Sequence, residues 1–270
     1  KQGLSYNKIV AKIKQSYGVV ITKSHISYWC RGIHSPINGI RIPTAEFLIP
    51  SEDLAYVIGV EIGDGFVSKR SCPQPKYDEF IVGLEVKDKE FSEEFGRKLA
   101  KVLGREPLIP RLRKDGRWIV KARSKTLYML LTKPINIEKI RPYVEHCVRC
   151  TTAFLRGFFD SEGCVKKDGT IIVYNTNYTL LKYVIHLLNK IGIETTVEEP
   201  IMYHRAGTPI RNSRRGKIYK TRKDAYYVAI RRKSNLLFYE KVSFVNERKR
   251  KRLEEYLMKR GLLLTTYLTM

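Results

Sequence analysis

Val57-Ile-Gly-Val-Glu-Ile-Gly-Asp-Gly65 and Leu155-Arg-Gly-Phe-Phe-Asp-Ser-Glu-Gly163 are two versions of one phrase. Each is an apolar run with a glycine inside it, and each closes on an acid followed by Gly. The pattern predicts two helices whose glycines, Gly59 and Gly157, let their backbones approach closely. Ser51 and either Thr151 or Thr152 are the expected N-caps.

The same succession of elements follows both phrases. Phe80–Val86 and Thr170–Thr176 alternate as strands. Amphipathic helices come next, with Phe91, Phe95, Leu99 and Leu103 ahead of Gly104, and Leu181, Val184, Ile185, Leu188 and Ile191 ahead of Gly192. Trp118–Arg123 and Ala225–Arg232 read as further strands, and Glu138–Tyr143 and Glu240–Phe244 close the two halves. The offsets between halves are 98 residues at the acids, 88 at the helix-ending glycines and 102 at the closing phrases. This regularity predicts an α+β fold: a tandem, pseudo-twofold repeat of an α-β-β-α-β-β-α unit. The expected division is a helical extension over 1–45, a first half over 46–150 and a second over 151–270.

The 270 residues carry 51 Lys and Arg against 27 Asp and Glu, a net charge of +24. That excess predicts a polyanionic partner, above all nucleic acid. No apolar run approaches the roughly 20 residues of a membrane span, and the charge is spread along the chain rather than along one amphipathic helix. Five cysteines imply no disulfide framework. Cys147 and Cys150 form one C-x-x-C after His146, but no second pair completes a four-ligand zinc site, so the reading is two thiols. The expected location is the cytoplasm of a prokaryote, and three Gln among abundant Lys, Arg and Ile lean towards a thermophile. The chain starts at Lys1 rather than Met, so residues ahead of it are expected.

Chemistry is expected at Asp64 and Glu162. A pseudo-twofold axis would bring these two helix ends together, where like charges repel and add to the negative ends of both helix dipoles. A cation between them relieves that cost, and oxygen ligands of this kind suit Mg²⁺ together with substrate phosphates. Paired metals would activate water and steady the leaving oxygen of an in-line displacement. In a chain this basic, the pairing points to phosphodiester hydrolysis. Glu61 and Asp160 read as flanking acids, in ion pairs rather than as ligands.

The two phrases resemble the signature motifs of the LAGLIDADG homing endonucleases, and the Phe244-x₄-Lys249 ending is similar to theirs. The resemblance covers about residues 46–260. It implies a monomer that binds double-stranded DNA under a saddle-shaped antiparallel sheet and cuts both strands at a long site. It implies Mg²⁺, with Mn²⁺ substituting and Ca²⁺ binding without cleavage. Carried over residue by residue, Asp64 and Glu162 bind metal with help from the carbonyls of Gly63 and Ser161. Asp88, and Asn175 to Asn177 in the second half, organise water. Lys249, or alternatively Lys166 or Lys167, is the pocket lysine, with Cys147 or Arg149 near the equivalent place in the first half. A cleavage-inactive DNA-binding regulator and an intron RNA maturase are the other readings of this scaffold.

The strands supply basic side chains for a major groove. These are Arg111, Arg113, Arg117, Lys121 and Arg123 in the first half. In the second they are Arg211, Arg214, Arg215, Lys217, Lys220 and Arg222 in a loop or hairpin over 205–223, followed by Arg231. Ahead of both halves, Ser5 caps a helix with Ile9 and Ile13 inside, Gly18 turns the chain, and a second helix follows. This looks like a helix-turn-helix offering Lys23, Ser24, His25, Ser27 and Tyr28 to DNA, with Ile26 and Trp29 in its core. A plain helical hairpin is the alternative.

Overall fold

The computed structural model describes residues 3–31, 48–72, 77–211, 216 and 218–263. Two short helices come first, α1 (Tyr6–Tyr17) and α2 (Lys23–Cys30). Ser5 accepts a bond from the Lys8 amide, and Gly18, at φ +65°, ends α1 in the left-handed conformation that glycine tolerates. Ile21 and Ile26 are buried between the two helices, while Ile9, Ile13 and Trp29 are half-buried.

The first repeat runs α3 (Glu52–Ile62), β1 (Gly65–Cys72), β2 (Tyr77–Val86), α4 (Lys89–Val102), β3 (Arg111–Leu112), β4 (Trp118–Arg123), α5 (Lys125–Leu131) and α6 (Ile137–Val144). The second runs α7 (Val148–Glu162), β5 (Gly163–Val165), β6 (Ile171–Asn175), α8 (Tyr178–Lys190), β7 (Ile201–His204), β8 (Pro209–Arg211), β9 (Ile218–Lys220), β10 (Ala225–Ala229), α9 (Asn235–Lys241) and α10 (Glu247–Lys259). The sheets have the same antiparallel order, β1-β2-β4-β3 and β5-β6-β10-β7, with the β8–β9 hairpin inserted between β7 and β10. This is the duplicated α+β fold that the offsets predict. Strands β1 and β5, which leave the helix ends directly, carry too little alternation of their own to have been read from sequence.

One face of each sheet is packed and the other open. In the first, Val82 and Leu84 of β2 pair with Ala122 and Val120 of β4, and all four are buried. In the second, Val173 pairs with Val228 and both are buried. Helices α4 and α8 lay Phe91, Phe95 and Leu99, and Leu181, Val184 and Leu188, onto these faces.

Helices α3 and α7 form the spine. A Cβ built on Gly59 would strike the carbonyl oxygen of Phe154 and lie 2.9 Å from the Phe158 nitrogen; one on Gly157 would lie 2.5 Å from the Tyr56 oxygen. Both contacts are with backbone, so only glycine fits at this crossing. Helix α3 is capped by Ser51 as expected, but α7 is not capped by Thr151 or Thr152. Its cap lies four or five residues earlier, at Cys147, whose thiol accepts from the Cys150 amide at 3.4 Å. Thr151 instead donates to the Val144 carbonyl at 3.0 Å.

Candidate active site

The spine ends where the two acids lie. Glu162 is the last residue of α7, and Asp64 follows the C-cap of α3 by one residue. The ends touch: a Cβ on Gly63 would sit 3.0 Å from Ser161 Oγ and 3.1 Å from Glu162 Cγ. Ser161 Oγ donates to the Val60 carbonyl across the pair at 3.4 Å and to Gly157 within its own helix at 3.1 Å. Gly63 and Ser161 therefore stand beside each other directly ahead of the acids.

Electrostatics reflect the crowding. Burial pushes the Glu162 carboxyl up to about 7; the Asp64 charge pushes the same way, while Lys249, Lys133 and the Asn175 amide favour its ionised form. Asp64 is the more exposed of the two, yet burial is still the first cause of its raised pKa, with Asp88 adding to it and Lys249 and Lys133 opposing it. Two neighbouring acids, each raised by burial and by a nearby carboxylate (Asp88 for Asp64, Asp64 for Glu162) and each opposed by Lys249 and Lys133, form a donor set of hard oxygens suited to a divalent cation such as Mg²⁺.

Asp88 is the N-cap residue of α4 without a side-chain capping bond, and its charge acts on Asp64. Pairing of Gly65 with Leu84 and of Gly163 with Val173 fixes the correspondence between halves: Asp88 matches Asn177, and Val86 matches Asn175. The second half has divided the work. Asn177 caps α8 through the Leu180 amide, and Asn175 donates to Glu162 Oε1 at 3.2 Å.

Lys249 is buried in the first turn of α10. Its ammonium donates to the carbonyls of Phe159 at 3.1 Å, Asp160 at 2.5 Å and Ser161 at 3.3 Å, closing the C-terminal turn of α7. Burial lowers its pKa, against the pull of Asp160 and Asp64. Lys166 and Lys167 are exposed in the β5–β6 turn and are absent from the charges acting on either acid. In the first half the comparable lysine is neither Cys147, a helix cap, nor Arg149, which faces Glu52 at 3.3 Å. It is Lys133, between α5 and α6, whose ammonium reaches the Gly65 carbonyl at 3.4 Å. Sequence reading missed it, since no motif surrounds it and it lies far from Asp64 along the chain.

Among the described residues, Glu61 and Asp160 form no ion pair. Asp160 is buried and accepts from the Val245 and Asn246 amides at 2.9 and 3.1 Å and from Tyr56 Oη at 3.3 Å; burial still lifts it to about 7. It fastens the α9–α10 connection, and hence Lys249, to the spine. Glu61 packs against the Gly65 backbone, and among the described residues neither of its oxygens meets a donor in bonding geometry. Burial raises its pKa well above the ordinary value, which Lys133 and the Gly83 amide offset only in part.

The open sheet faces differ. In the first half Arg113 and Arg117 approach Glu85 at 2.8 and 3.6 Å, Arg123 pairs with Glu79 at 2.5 Å, and Arg111 and Lys121 are exposed. In the second half the face is aromatic: Tyr174 of β6, Tyr203 of β7 and Tyr227 of β10 gather with ring centroids 4.7–6.2 Å apart. Lys220 ends β9 and Arg222 follows it, both solvent-facing side chains, and Arg231 donates to the Thr195 carbonyl at 2.9 Å. Arg211 ends β8, and Arg214, Arg215 and Lys217 lie outside the described residues. On α2, Lys23 and Ser24 are exposed, while His25 is engaged in a capping box, its Nδ1 2.9 Å from Thr22 Oγ1.

Comparison with known proteins adds to this picture. Residues 149–243 match the model of the LAGLIDADG-like domain. The chain is 34% identical to the uncharacterised protein MJ0398 of Methanocaldococcus jannaschii over 261 residues, covering 95% of this chain and 89% of that protein. It is similar to two DNA-bound variants of the homing endonuclease I-DmoI, one solved with manganese and one with magnesium. Each has a TM-score of 0.50 at 20% identity and covers 71% of this chain, and 93% and 95% of the respective structures.

Proposed function

Because the chain belongs to the LAGLIDADG family of homing endonuclease folds, we propose that it is a Mg²⁺-dependent endonuclease cutting both strands of a long double-stranded DNA site. The observation that carries this reading is the convergence of Asp64 and Glu162 at the adjoining ends of α3 and α7. A DNA-binding scaffold gains nothing from two acids pressed together where phosphates must approach. Their mutual repulsion becomes useful only when divalent cations are held there.

Asp64 and Glu162 would hold the metal, with the Gly63 and Ser161 carbonyls beside them. The bound ions would supply Lewis-acid stabilisation of the phosphoryl oxygens and a more acidic water. The chain's own groups do the rest. Asp88 in one pocket and Asn175 in the other would orient a water near each acid. Lys133 and Lys249 add positive charge on the side from which the phosphate backbone arrives, and Lys249 keeps the end of α7 fixed. The basic strands of the first half, the tyrosines of the second and the β8–β9 hairpin would lie along the duplex. Residues 1–45 form a separate DNA-contacting extension in this reading, presenting Lys23 and Ser24.

The test is cleavage of a randomised duplex library by the full chain with Mg²⁺, with Ca²⁺ and with EDTA. Cutting at one long motif with Mg²⁺ alone is the expected result. Sequence-specific retention without cutting in any condition would overturn it in favour of a DNA-binding regulator.

A further inference from the structure

At the far end of α7 from Glu162, three metal-ligating side chains come together. His146, Cys147 and Cys150 place their ligand atoms within 4.8 Å of one another. The thiols are 3.4 Å apart, and Cys150 Sγ lies 4.0 Å from His146 Nδ1. Four-coordinate zinc, with Zn–S bonds of about 2.3 Å and Zn–N of about 2.0 Å, separates two sulfurs by about 3.8 Å and sulfur from nitrogen by about 3.5 Å. The sulfur–sulfur distance and the Cys150–His146 distance are each within about half an ångström of that requirement. The site needs adjustment of side chains, not of the helix.

We propose that His146, Cys147 and Cys150 form a binding site for a thiophilic divalent cation of the zinc class, distinct from the carboxylate site at the other end of the spine. The donor types select it. Two thiolates and an imidazole favour Zn²⁺ over Mg²⁺, and two thiolates balance the charge of the dication. The backbone already holds the ligands in place: Cys147 is the N-cap of α7, its sulfur kept over the helix start by the Cys150 amide. The sulfurs differ in exposure, Cys150 being buried and Cys147 half-buried, and His146 is exposed. The fourth coordination position therefore opens outward, available to water.

The place of the site suggests its use. Residues 145–147 are the whole connection between α6, which ends the first half, and α7, which opens the second. An ion there would pin the start of a helix about 22 Å long whose other end carries Glu162. It would thus brace the joint between halves without taking part in the chemistry. The sequence concealed this because the second pair of a four-ligand zinc site is absent, and the histidine adjacent to the first cysteine completes only a three-ligand set.

The experiment is titration of the reduced, metal-free full chain with Co²⁺, followed by displacement with Zn²⁺. The expected result is one equivalent giving thiolate-to-cobalt charge transfer and the d–d absorption of a tetrahedral site, and a higher melting temperature with Zn²⁺. Cys147→Ser and Cys150→Ser should each abolish the charge-transfer band. His146→Ala, at an exposed position, should weaken Co²⁺ at least tenfold. Asp64→Asn should leave the band unchanged, which separates this site from the proposed cleavage site. Absence of the band in the reduced wild-type chain overturns the proposal, as does an undiminished band in both cysteine variants. Closure of Cys147 and Cys150 into a disulfide, with no Co²⁺ bound once reduced, would overturn it in favour of a redox pair.

Discussion

Lys249 Nζ donates to the carbonyl oxygen of Ser161 at 3.3 Å, so the lysine of the pocket also closes the helix that carries Glu162. With its bonds to Phe159 and Asp160, it reaches three carbonyls in the last turn of α7, of which that of Phe159 also accepts from the Gly163 amide. Structure and chemistry are joined in one side chain here. At Lys133, which makes one bond of 3.4 Å to Gly65, they are separable.

Lys249→Met is therefore expected to lose stability as well as cleavage, by about 1–3 kcal/mol for the carbonyls left without donors. Lys133→Met is expected to slow cleavage with little change in melting temperature. Equal melting losses in the two variants, measured by calorimetry beside single-turnover cleavage, would contradict this division.

Asp64→Asn and Glu162→Gln should each reduce cleavage by several orders of magnitude. Both should bind DNA as well as the parent or more tightly, because a charge repelling phosphate is gone. Gel-shift affinities alongside cleavage rates make the check; near-parental cutting by either variant would remove that acid from the mechanism.

The metal-free protein should become less stable as pH rises from about 4.5 to 8. Glu162 and Asp160 are both lifted to about 7, from 4.5 and 3.8 in free side chains. Folded carboxyls that hold their protons more tightly than unfolded ones contribute stability that is full below the unfolded pKa. It is lost as pH climbs through the folded one. Glu162→Gln should flatten this slope, and Mg²⁺ should restore stability at the alkaline end. Denaturant unfolding at several pH values reads the effect, roughly 2–3 kcal/mol for Glu162. A variant as steep as the parent would show that Glu162 is not the group responsible.

At the helix crossing, Gly59→Ala and Gly157→Ala each drive a methyl group into backbone of the opposite helix. Each should destabilise by about 2–3 kcal/mol and weaken cleavage by parting the two acids. Rescue of neither property by Mg²⁺ would fit a spine forced open. A fully stable Gly59→Ala protein would mean the crossing is looser than described.

DNA binding should fall with salt, log K dropping by about 0.9 per phosphate contact for each log unit of salt. Lys121→Ala and Arg111→Ala, at exposed positions, are expected to lower the slope. Arg123→Ala should have less effect on it, since Glu79 already neutralises that guanidinium. Fluorescence anisotropy at several salt concentrations distinguishes them.

The duplication and its two acids were legible because each is repeated, and a repeated local pattern is stronger than either copy alone. What escaped was non-local. Lys133 reaches the site from a connection with no pattern of its own, and the partners of Asp160 are backbone amides 85 and 86 residues away. Asp160 therefore read as a flanking acid in an ion pair. Cys147 was passed over as a cap because hydroxyl and carboxamide side chains are the usual choice, and Thr151 stood close by.

The contrast between the open sheet faces has a consequence for what the molecule can read. Two identical subunits would present one surface twice and favour a palindrome, as symmetric DNA-binding dimers do. Here one sheet offers arginine and glutamate, and the other tyrosines flanked by an extra hairpin. A duplex laid across both meets no surface twice. Its left and right arms are then free to differ in sequence, and each half can change its preference without obliging the other to follow.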